Sequence, residues 1–443
     1  MYLSVGLLAA ALLAWGTACR MPLPADKAAE AVAAATGLRG AIRFETNTAA
    51  VDLPGGTNTL TLSDAVRQAV VAAPEVQMAL ARARGAQAES WQARQFPNPV
   101  LHILFRLPEG GGATAIETGI ATDLAQWLRR PHRIAAADHR LRAAAADAVA
   151  AALDIIEATE THYAGHLAHS EAIKLLRLRQ SVLSQLRDLA QRRLDAGEGT
   201  RLDVIALDAQ LEEAQADLSE HWLKLESERL SLARLLGEPS RSVELQLGTP
   251  LAEPSPLVPE AVWIAHALQR RPEIQSARWE LAARGDDHAL ARLAWLSEFG
   301  GGLAAERESD WSLGPSATVP LPFFDTGEAA QSKAQASLIE ARHQTTLHLR
   351  RTVTAVRHAH AAHEALQRAA VQVREKLLPL QAERARLARA VYEAGQSDIT
   401  PVRFAELDLQ AARLRLLELQ LRLSVAASQL RRASGGPLAP SQP

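Results

Sequence analysis

Leu194-Asp195-Ala196-Gly197 returns 198 positions later as Tyr392-Glu393-Ala394-Gly395. The same offset separates Ala73-Pro74-Glu75-Val76 from Arg271-Pro272-Glu273-Ile274. Two distant blocks that share one offset indicate the duplication of a whole structural unit, because unrelated short matches have no reason to share a spacing. A period this long is too large for a solenoid or a propeller. The sequence therefore predicts two copies of one large unit.

Composition and charge favour long helices over a compact enzyme or a nucleic-acid binder. The 443 residues include only 4% aromatic side chains and carry a net charge of −2. Such a chain has the profile of helices and coiled coils and lacks the basic excess of a nucleic-acid-binding protein, so no nucleic acid is expected as a partner. The single cysteine, Cys19, excludes an internal disulfide framework and a cysteine-based zinc site.

The N-terminus has the features of an export signal. Residues 1–19 contain an apolar run from Leu3 to Trp15 and end in small residues before Cys19. Cys19 stands where a lipoprotein signal places its acylated residue, so we predict a signal peptide and a possible lipidation site; the alternative is a signal without lipid. Residues 20–57 are predicted to form an N-terminal extension, and residues 435–443 a disordered tail.

Helical periodicity dominates both copies of the unit. The first repeat is assigned to residues 58–237 and the second to 258–434, with a connector at 238–257. A first helix is predicted from about Leu62, capped by Ser63, to about Gln95. Long helices are predicted over about 132–194 and from Glu328 to Glu393, the second broken only at Pro379. Each is followed by a return helix, and the first of these has heptad positions Val204, Leu211, Leu218, Leu225 and Leu232.

Strand periodicity interrupts the helices once in each copy. Alternating residues predict strands at about 98–108 and 113–124, and again at about 298–307 and 311–321. Four strands cannot close a membrane barrel, whose smallest single-chain form has eight, so we expect other copies of the chain to supply more strands. The strand lengths suit a tilted membrane span. Six aromatic residues lie in or beside these strands and fit an interfacial belt: Phe105, Trp127, Phe299, Trp311, Phe323 and Phe324.

Three elements resemble a known family. The first is Phe96-Pro97-Asn98-Pro99, and the second is Val319-Pro320-Leu321-Pro322-Phe323-Phe324-Asp325-Thr326-Gly327. With the duplicated plan, they resemble the TolC family of outer-membrane efflux proteins. The third, Leu124-Ala125-Gln126-Trp127-Leu128-Arg129-Arg130, together with the Pro-Asn-Pro element, resembles the branch that serves heavy-metal resistance pumps.

The resemblance implies a mainly α fold with a small β part, built from a duplicated helix, β-hairpin, long helix and return helix. Three chains would form a homotrimer with a twelve-stranded barrel in the outer membrane lipid and an α-helical tunnel in the periplasm. The chain would be the passive exit duct of a tripartite efflux system, joined by a periplasmic adaptor protein to an inner-membrane pump, with the RND type favoured. It would catalyse no reaction and need no cofactor.

The turns between long and return helices are the candidate functional positions. The resemblance places the periplasmic tip and adaptor docking at two turns, Gly197, Glu198 and Gly199 with Gly395, Gln396 and Ser397. The alternative is that Gly197 and Gly395 only end helices. Acidic residues near the turns are candidates for a pore constriction that attracts cations, namely Asp195, Glu198, Asp203 and Asp398. Some relatives carry aspartates where this chain has Pro401 and Phe404, so solvated helix ends are the competing interpretation.

Histidines raise the question of a metal site. His162, His166 and His169 share one helix face, and His360 repeats the position of His162, with His358 and His363 beside it. No cysteine or carboxylate completes a ligand set in the sequence pattern. We interpret these histidines as a packing or tunnel face and predict no metal site. The Arg129–Arg133 stretch is interpreted as a strand-to-helix junction.

Two other classes of function compete with an efflux duct. A periplasmic adaptor also has a long helical hairpin and an export signal, but this chain ends in helix rather than in a β-rich region. A structural coiled-coil protein would not need the duplicated alternating segments. An enzyme is disfavoured because the chain has no phosphate loop and no nucleophile motif. The sequence leaves open whether the cargo is a metal cation, a drug or another compound.

Overall fold

The computed structural model describes residues 27–37, 42–44, 60–107, 114–237, 247–248, 251, 257–296, 299–307, 311–321 and 323–438. The predicted signal peptide with Cys19, most of the N-terminal extension and most of the connector lie outside these residues. The predicted division into signal, extension, repeats, connector and tail therefore stays a prediction.

Long helices and two hairpins follow one another in the same order in both halves. The first half contains α1 (Lys27–Thr36), α2 (Leu62–Ala72), α3 (Pro74–Ala93), β1 (Val100–Arg106), β2 (Ala115–Asp123), α4 (Leu124–Asp195) and α5 (Arg201–Leu235). The second half contains α6 (Glu260–Arg270), α7 (Pro272–Arg292), a 3-10 turn (Ala294–Leu296), β3 (Gly300–Arg307), β4 (Trp311–Thr318), α8 (Glu328–Gln372), α9 (Leu378–Glu393) and α10 (Thr400–Ser434). The predicted class, mainly α with a small β part in a duplicated plan, is confirmed.

The helical segment before each hairpin is divided in two at a proline. The prediction of one helix from Leu62 to Gln95 is wrong, because Ala73 adopts an extended conformation with ψ 118° before Pro74. Arg271 does the same with ψ 123° before Pro272. Proline disfavours the helical conformation of the residue before it but is well suited to the first helical position. The predicted cap is also wrong: Thr61, not Ser63, accepts the hydrogen bond that starts α2.

The helix α4 is 72 residues long, about 108 Å at 1.5 Å per residue. It begins earlier than predicted, because Asp123 caps it and the Phe299 carbonyl oxygen accepts from the backbone N–H groups of Leu124 and Ala125. The interpretation of Arg129–Arg133 as a strand-to-helix junction is therefore wrong. Pro131 has no backbone N–H group and so removes one hydrogen bond inside the helix. The helix tolerates this loss because the Asp123 cap and the Phe299 carbonyl both hold its start.

The corresponding arm of the second half contains a defect. Between α8 and α9, Val373–Leu377 forms a π-helical turn that ends two residues before Pro379. A π-turn displaces the backbone and so relieves the clash between a proline ring and the preceding turn. The chain passes Pro379 without leaving the helix.

In each half, an equivalent hydrogen bond joins the helix before the proline break to the end of the return helix. Gln68 donates to the carbonyl oxygen of Leu236 at 3.2 Å. His266 Nδ1 lies 3.1 Å from the carbonyl oxygen of Ser434 and donates to it. Both members of the second pair lie 198 positions after those of the first. The duplication seen in the sequence is thus present in the tertiary contacts.

The two hairpins join into one antiparallel sheet with the order β1-β2-β3-β4. The seam between the hairpins pairs β2 with β3, with Gly119 opposite Ala304. Among the described residues, the outer strands β1 and β4 each pair on one side only. The sheet therefore has two open edges.

The helices supply the buried core. The largest apolar cluster lies where the first-half helices meet and includes Val32, Val76, Leu80, Tyr163 and Leu232. A second cluster, towards the end of α4 and the start of α5, contains Val182, Leu183, Leu186, Leu207 and Ala214, with Leu407 of the second half packed against it. Among the described residues, every helix is too short or too polar to count as a membrane span.

Candidate functional surfaces

One side of the sheet is apolar and exposed. Because directly paired residues of antiparallel strands point to the same side, the register places the alternate residues of all four strands on a common surface. We call it the apolar face, and its large side chains are Leu101, Ile103, Phe105, Ile120, Leu303, Trp311 and Leu313. All of them are exposed, Leu313 to 75%. An exposed apolar surface of this kind marks an interaction with lipid or protein.

The opposite side, the polar face, carries mostly small and charged residues, together with Val100, His102 and Leu104 of β1. Arg106 donates to Glu117 at 2.8 Å and to Glu306 at 3.4 Å, linking β1, β2 and β3. The smallest residues of the polar face are Gly119, Gly300, Gly302 and Gly314. Strands with alternating apolar and polar sides are typical of membrane barrels, with the polar side towards the lumen.

Aromatic side chains lie at both ends of the sheet. At the helix end, the rings of Phe96 and Trp127 lie 5.1 Å apart, and the Arg130 guanidinium lies 4.4 Å from the Phe96 ring centre. Phe324 is fully exposed at the same end. At the hairpin end, Trp311 pairs with Arg307. Aromatic rings at two levels are typical of side chains that lie in the two interfacial regions of a membrane.

The turns at the far end of the helices are alike. Gly197 and Gly395 adopt left-handed conformations, with φ +77° and +71°. The amide of Glu198 then donates to the Arg193 carbonyl oxygen at 2.8 Å, and the amide of Gln396 to the Val391 carbonyl oxygen at 3.1 Å. These bonds satisfy the free carbonyls of each helix end. Glu198 and Gln396 are exposed, while Gly199 and Ser397 are half-buried.

The predicted constriction acids have different local roles. Asp203 forms a capping box with Thr200, which donates to it from both its hydroxyl at 2.7 Å and its amide at 3.1 Å. These bonds lower the pKa of Asp203. Asp195 accepts from Gln191 at 2.8 Å. Whether Asp195, Asp203 and Asp398 constrict a pore stays a prediction.

An ion pair that the sequence did not predict joins the two turns. Arg193, at the end of α4, binds the carboxylate of Asp398, which precedes α10. The hydrogen bond from Arg193 lowers the pKa of Asp398. Asp398 also accepts from the amide of Thr400 at 2.9 Å. The two candidate docking turns therefore lie side by side.

The histidines face carboxylates, carbonyls and one another. His162 Nδ1 lies 2.6 Å from a Glu228 oxygen, and His360 Nε2 donates to the Val258 carbonyl oxygen at 3.0 Å. His169 Nδ1 lies 3.1 Å from His221 Nδ1. In the described part of the chain, no three histidine, cysteine or acidic side chains form a metal-binding group. The sequence pattern missed His221 because it belongs to a different helix.

A charged network ties the end of α10 to both halves. The Arg432 guanidinium, only 12% exposed, binds Asp154 of α4 and Glu273 of α7, each at 2.5 Å. Burial alone would raise the pKa of Glu273, but the hydrogen bond and charge of Arg432 and the charge of Arg271 lower it overall. The network holds the last helix against the first long one.

Comparison with known proteins relates the second half of the chain to a family. Residues 263–436 match the family model described as outer membrane efflux protein. The second half of the chain is therefore similar to the outer membrane efflux protein family. This is a family of channels rather than of enzymes; that the chain lacks catalytic activity stays a prediction.

Solved structures extend the similarity to both halves of the chain. The outer membrane protein VceC of Vibrio cholerae superposes with a TM-score of 0.67 at 22% identity, over 85% of this chain and 96% of that chain. The open state of the MtrE outer membrane channel of Neisseria gonorrhoeae gives 0.65 at 21% identity, over 85% of this chain and 89% of that chain. The predicted fold is thus confirmed.

One curated relative is similar in sequence. The chain is 28% identical over 233 residues to the fusaric acid resistance protein FusA of Burkholderia cepacia, a match that covers 47% of this chain. The chain spans about 42% of the length of that relative. The predicted heavy-metal branch is not distinguished by these matches and stays a prediction.

Proposed function

We propose that this chain is the outer-membrane channel of a tripartite efflux system and serves as a passive exit duct. The observation that carries the proposal is the four-stranded sheet, with an apolar face, a polar face and two open edges, at one end of helices about 100 Å long. The proposed location is the outer membrane, with the helices extending as a tunnel into the periplasm.

The open edges support a trimer. Unpaired strand edges are costly in lipid, because no water is available for their backbone groups. Four strands are too few to close, whereas three chains provide twelve and pair every edge. Strands of seven to nine residues extend about 23–30 Å, which suits the apolar layer of a membrane.

Arginine substitutions on the two faces of β4 test the membrane assignment. Leu313→Arg places a charge on the apolar face, where a central arginine costs about 2–4 kcal/mol in a membrane barrel. Ser312→Arg is the matched control, since Ser312 is the neighbouring exposed residue on the polar face. We expect the first variant to lower the yield of trimer in detergent, and the second to assemble and alter ion selectivity in planar bilayers.

Equal yields of trimer from both variants would contradict a lipid-facing apolar surface. A parent protein that remains monomeric and conducts no ions would overturn the proposed duct as a whole. A periplasmic adaptor or a structural coiled coil, the competing functions, would give that second result.

The adjacent turns are the proposed docking surface for a periplasmic adaptor, which would connect the duct to an inner-membrane pump of the RND type. Photo-crosslinking residues at Glu198 and Gln396 test this in cells that contain adaptor and pump. Lys333 is a matched control, because it is exposed near the sheet end of α8. Adducts with the adaptor are expected at the two turns only. Adducts at Lys333 alone would contradict the docking surface.

The proposed cargo is selected by the pump rather than by the duct. The name of the similar FusA protein refers to fusaric acid resistance, whereas the branch that the sequence resembles serves heavy-metal resistance pumps. Because its polar face consists mainly of small side chains, the proposed duct would let either fusaric acid or metal ions pass. Export of fusaric acid and of metal ions by cells with and without the chain would separate the two.

A further inference from the structure

Two histidines from antiparallel helices meet on the first helical hairpin. His169 lies on α4 and His221 on α5, with their Nδ1 atoms 3.1 Å apart. The rings meet edge-on, with centres 5.2 Å apart. Both side chains are half-buried, so each keeps access to solvent. The long antiparallel helices hold the pair together, since residues on both sides of it are also in contact: His162 with Glu228 on one side, and Gln180 with Gln215 on the other.

The spacing of the two nitrogens suits one shared metal ion. Imidazole nitrogens bind Zn²⁺ at about 2.0–2.1 Å, so two nitrogens 3.1 Å apart subtend an angle of about 98° at a common ion. This angle lies between the octahedral and tetrahedral values. The other explanation of the short distance is a hydrogen bond from one ring nitrogen to the other.

The surroundings tolerate a cation. The negative charges of Glu220 and Glu228 act on His169, and those of Glu220 and Asp217 act on His221. Lys224 is the nearby positive charge that opposes the binding of a cation, and its ion pair with Glu220 at 2.5 Å offsets that charge.

We propose that His169 and His221 form a binding site for a divalent transition-metal ion, with water completing the coordination. Imidazole ligands select Zn²⁺, Cu²⁺ or Ni²⁺ over the hard cations Mg²⁺ and Ca²⁺. With only two protein ligands the site is open, and a bound ion clamps α4 to α5. The inference does not depend on the chain being an efflux duct.

Titration with Cu²⁺ tests the site in the full-length purified protein. Electron paramagnetic resonance with one equivalent of Cu²⁺ should show two coordinated nitrogens, and calorimetry should show one site tighter than the background. His169→Asn and His221→Asn should each weaken that site at least tenfold and remove one nitrogen from the spectrum. His343→Asn is the matched control, because His343 is an exposed histidine of another long helix, and it should change neither measurement.

Unchanged Cu²⁺ affinity in both asparagine variants would overturn the proposal, as would a parent spectrum with a single nitrogen. Thermal unfolding in EDTA checks the fold of each variant by its unfolding midpoint. Variants that lower this midpoint while the parent gains no stability from Cu²⁺, Zn²⁺ or Ni²⁺ would show that the pair is only a hydrogen bond, which also overturns the proposal.

Discussion

Gly302 is the residue whose replacement tests the register of the sheet most directly. It lies in β3 on the polar face, opposite Ala121 of β2. A Cβ atom at Gly302 would lie 2.1 Å from the Ile120 carbonyl oxygen and 2.8 Å from the Ala121 Cα atom. Both obstacles are backbone atoms, which cannot rotate away. Gly302→Ala must therefore separate β2 from β3.

The size of the effect follows from this distance. Ordinary contact begins at 3.4 Å, so the two strands must part by about 1.3 Å at this point. Overpacking costs about 1–3 kcal/mol, and each weakened backbone hydrogen bond adds about 1 kcal/mol. We expect a total loss of about 2–5 kcal/mol. The loss of stability falls on the pairing of β2 with β3, the only β pairing that joins the two halves within the described residues.

Gly314→Ala is the matched control. Gly314 lies on the same polar face in β4, and a Cβ atom there would have nothing within 4 Å. Alanine is favoured over glycine within a strand by about 0.5–1 kcal/mol. We expect the urea midpoint of the folded protein in detergent to fall for Gly302→Ala and to stay or rise for Gly314→Ala. Equal midpoints would refute the pairing of β2 with β3 in this register.

Four further outcomes are expected. Arg432→Gln should lower the free energy of unfolding by about 3 kcal/mol in urea titration, because it breaks a buried ion pair and leaves Arg271, at 3.1 Å, as the remaining ion-pair partner of Glu273 among the described residues. The lowered pKa of Glu273 stabilises the fold at pH values above the ordinary glutamate pKa of 4.5, and this stability is lost as the pH falls through the lowered pKa. The pH midpoint of acid-induced helix loss, measured by circular dichroism, should therefore rise in Arg432→Gln. Asp398→Asn removes the ion pair with Arg193 at an exposed site, so it should change stability by under about 1 kcal/mol but speed amide hydrogen exchange in both turns. Thr200→Ala removes the cap of α5 and should speed exchange in the first turn of that helix only.

The parts of the fold with a local signal were predictable from sequence. The repeated Ala-Gly pair marked both helix ends, because a helix that ends in a left-handed residue usually has glycine there. Alternation of residue types located both hairpins, because strand side chains point to opposite sides in turn. The Phe-Phe-Asp run beside Gly327 indicated the family, and the family match in the second half agrees with it.

The features that depend on distant partners were missed. The early start of α4 depends on a carbonyl of Phe299, which is far away in sequence. The Arg193–Asp398 pair and the His169–His221 pair each join two helices, and no periodicity of one helix reveals its neighbour. The break before Pro74 had a local signal, since a residue before proline avoids the helical conformation, but the apolar pattern continued through it. The position of the π-turn before Pro379 depends on how the backbone relaxes, which a residue pattern does not specify.

The matching contacts of Gln68 with Leu236 and of His266 with Ser434 have an evolutionary consequence. In each half, the helix before the proline break and the end of the return helix are neighbours, so the two ends of one half lie together and each half has its own hairpin. Six half-length chains would present the same twelve strands as three full-length ones. Tandem fusion of an ancestral gene would then have replaced sixfold symmetry by threefold symmetry. It also released the halves from identity, and Pro379 has no counterpart in the first half, where the equivalent position is Ser181.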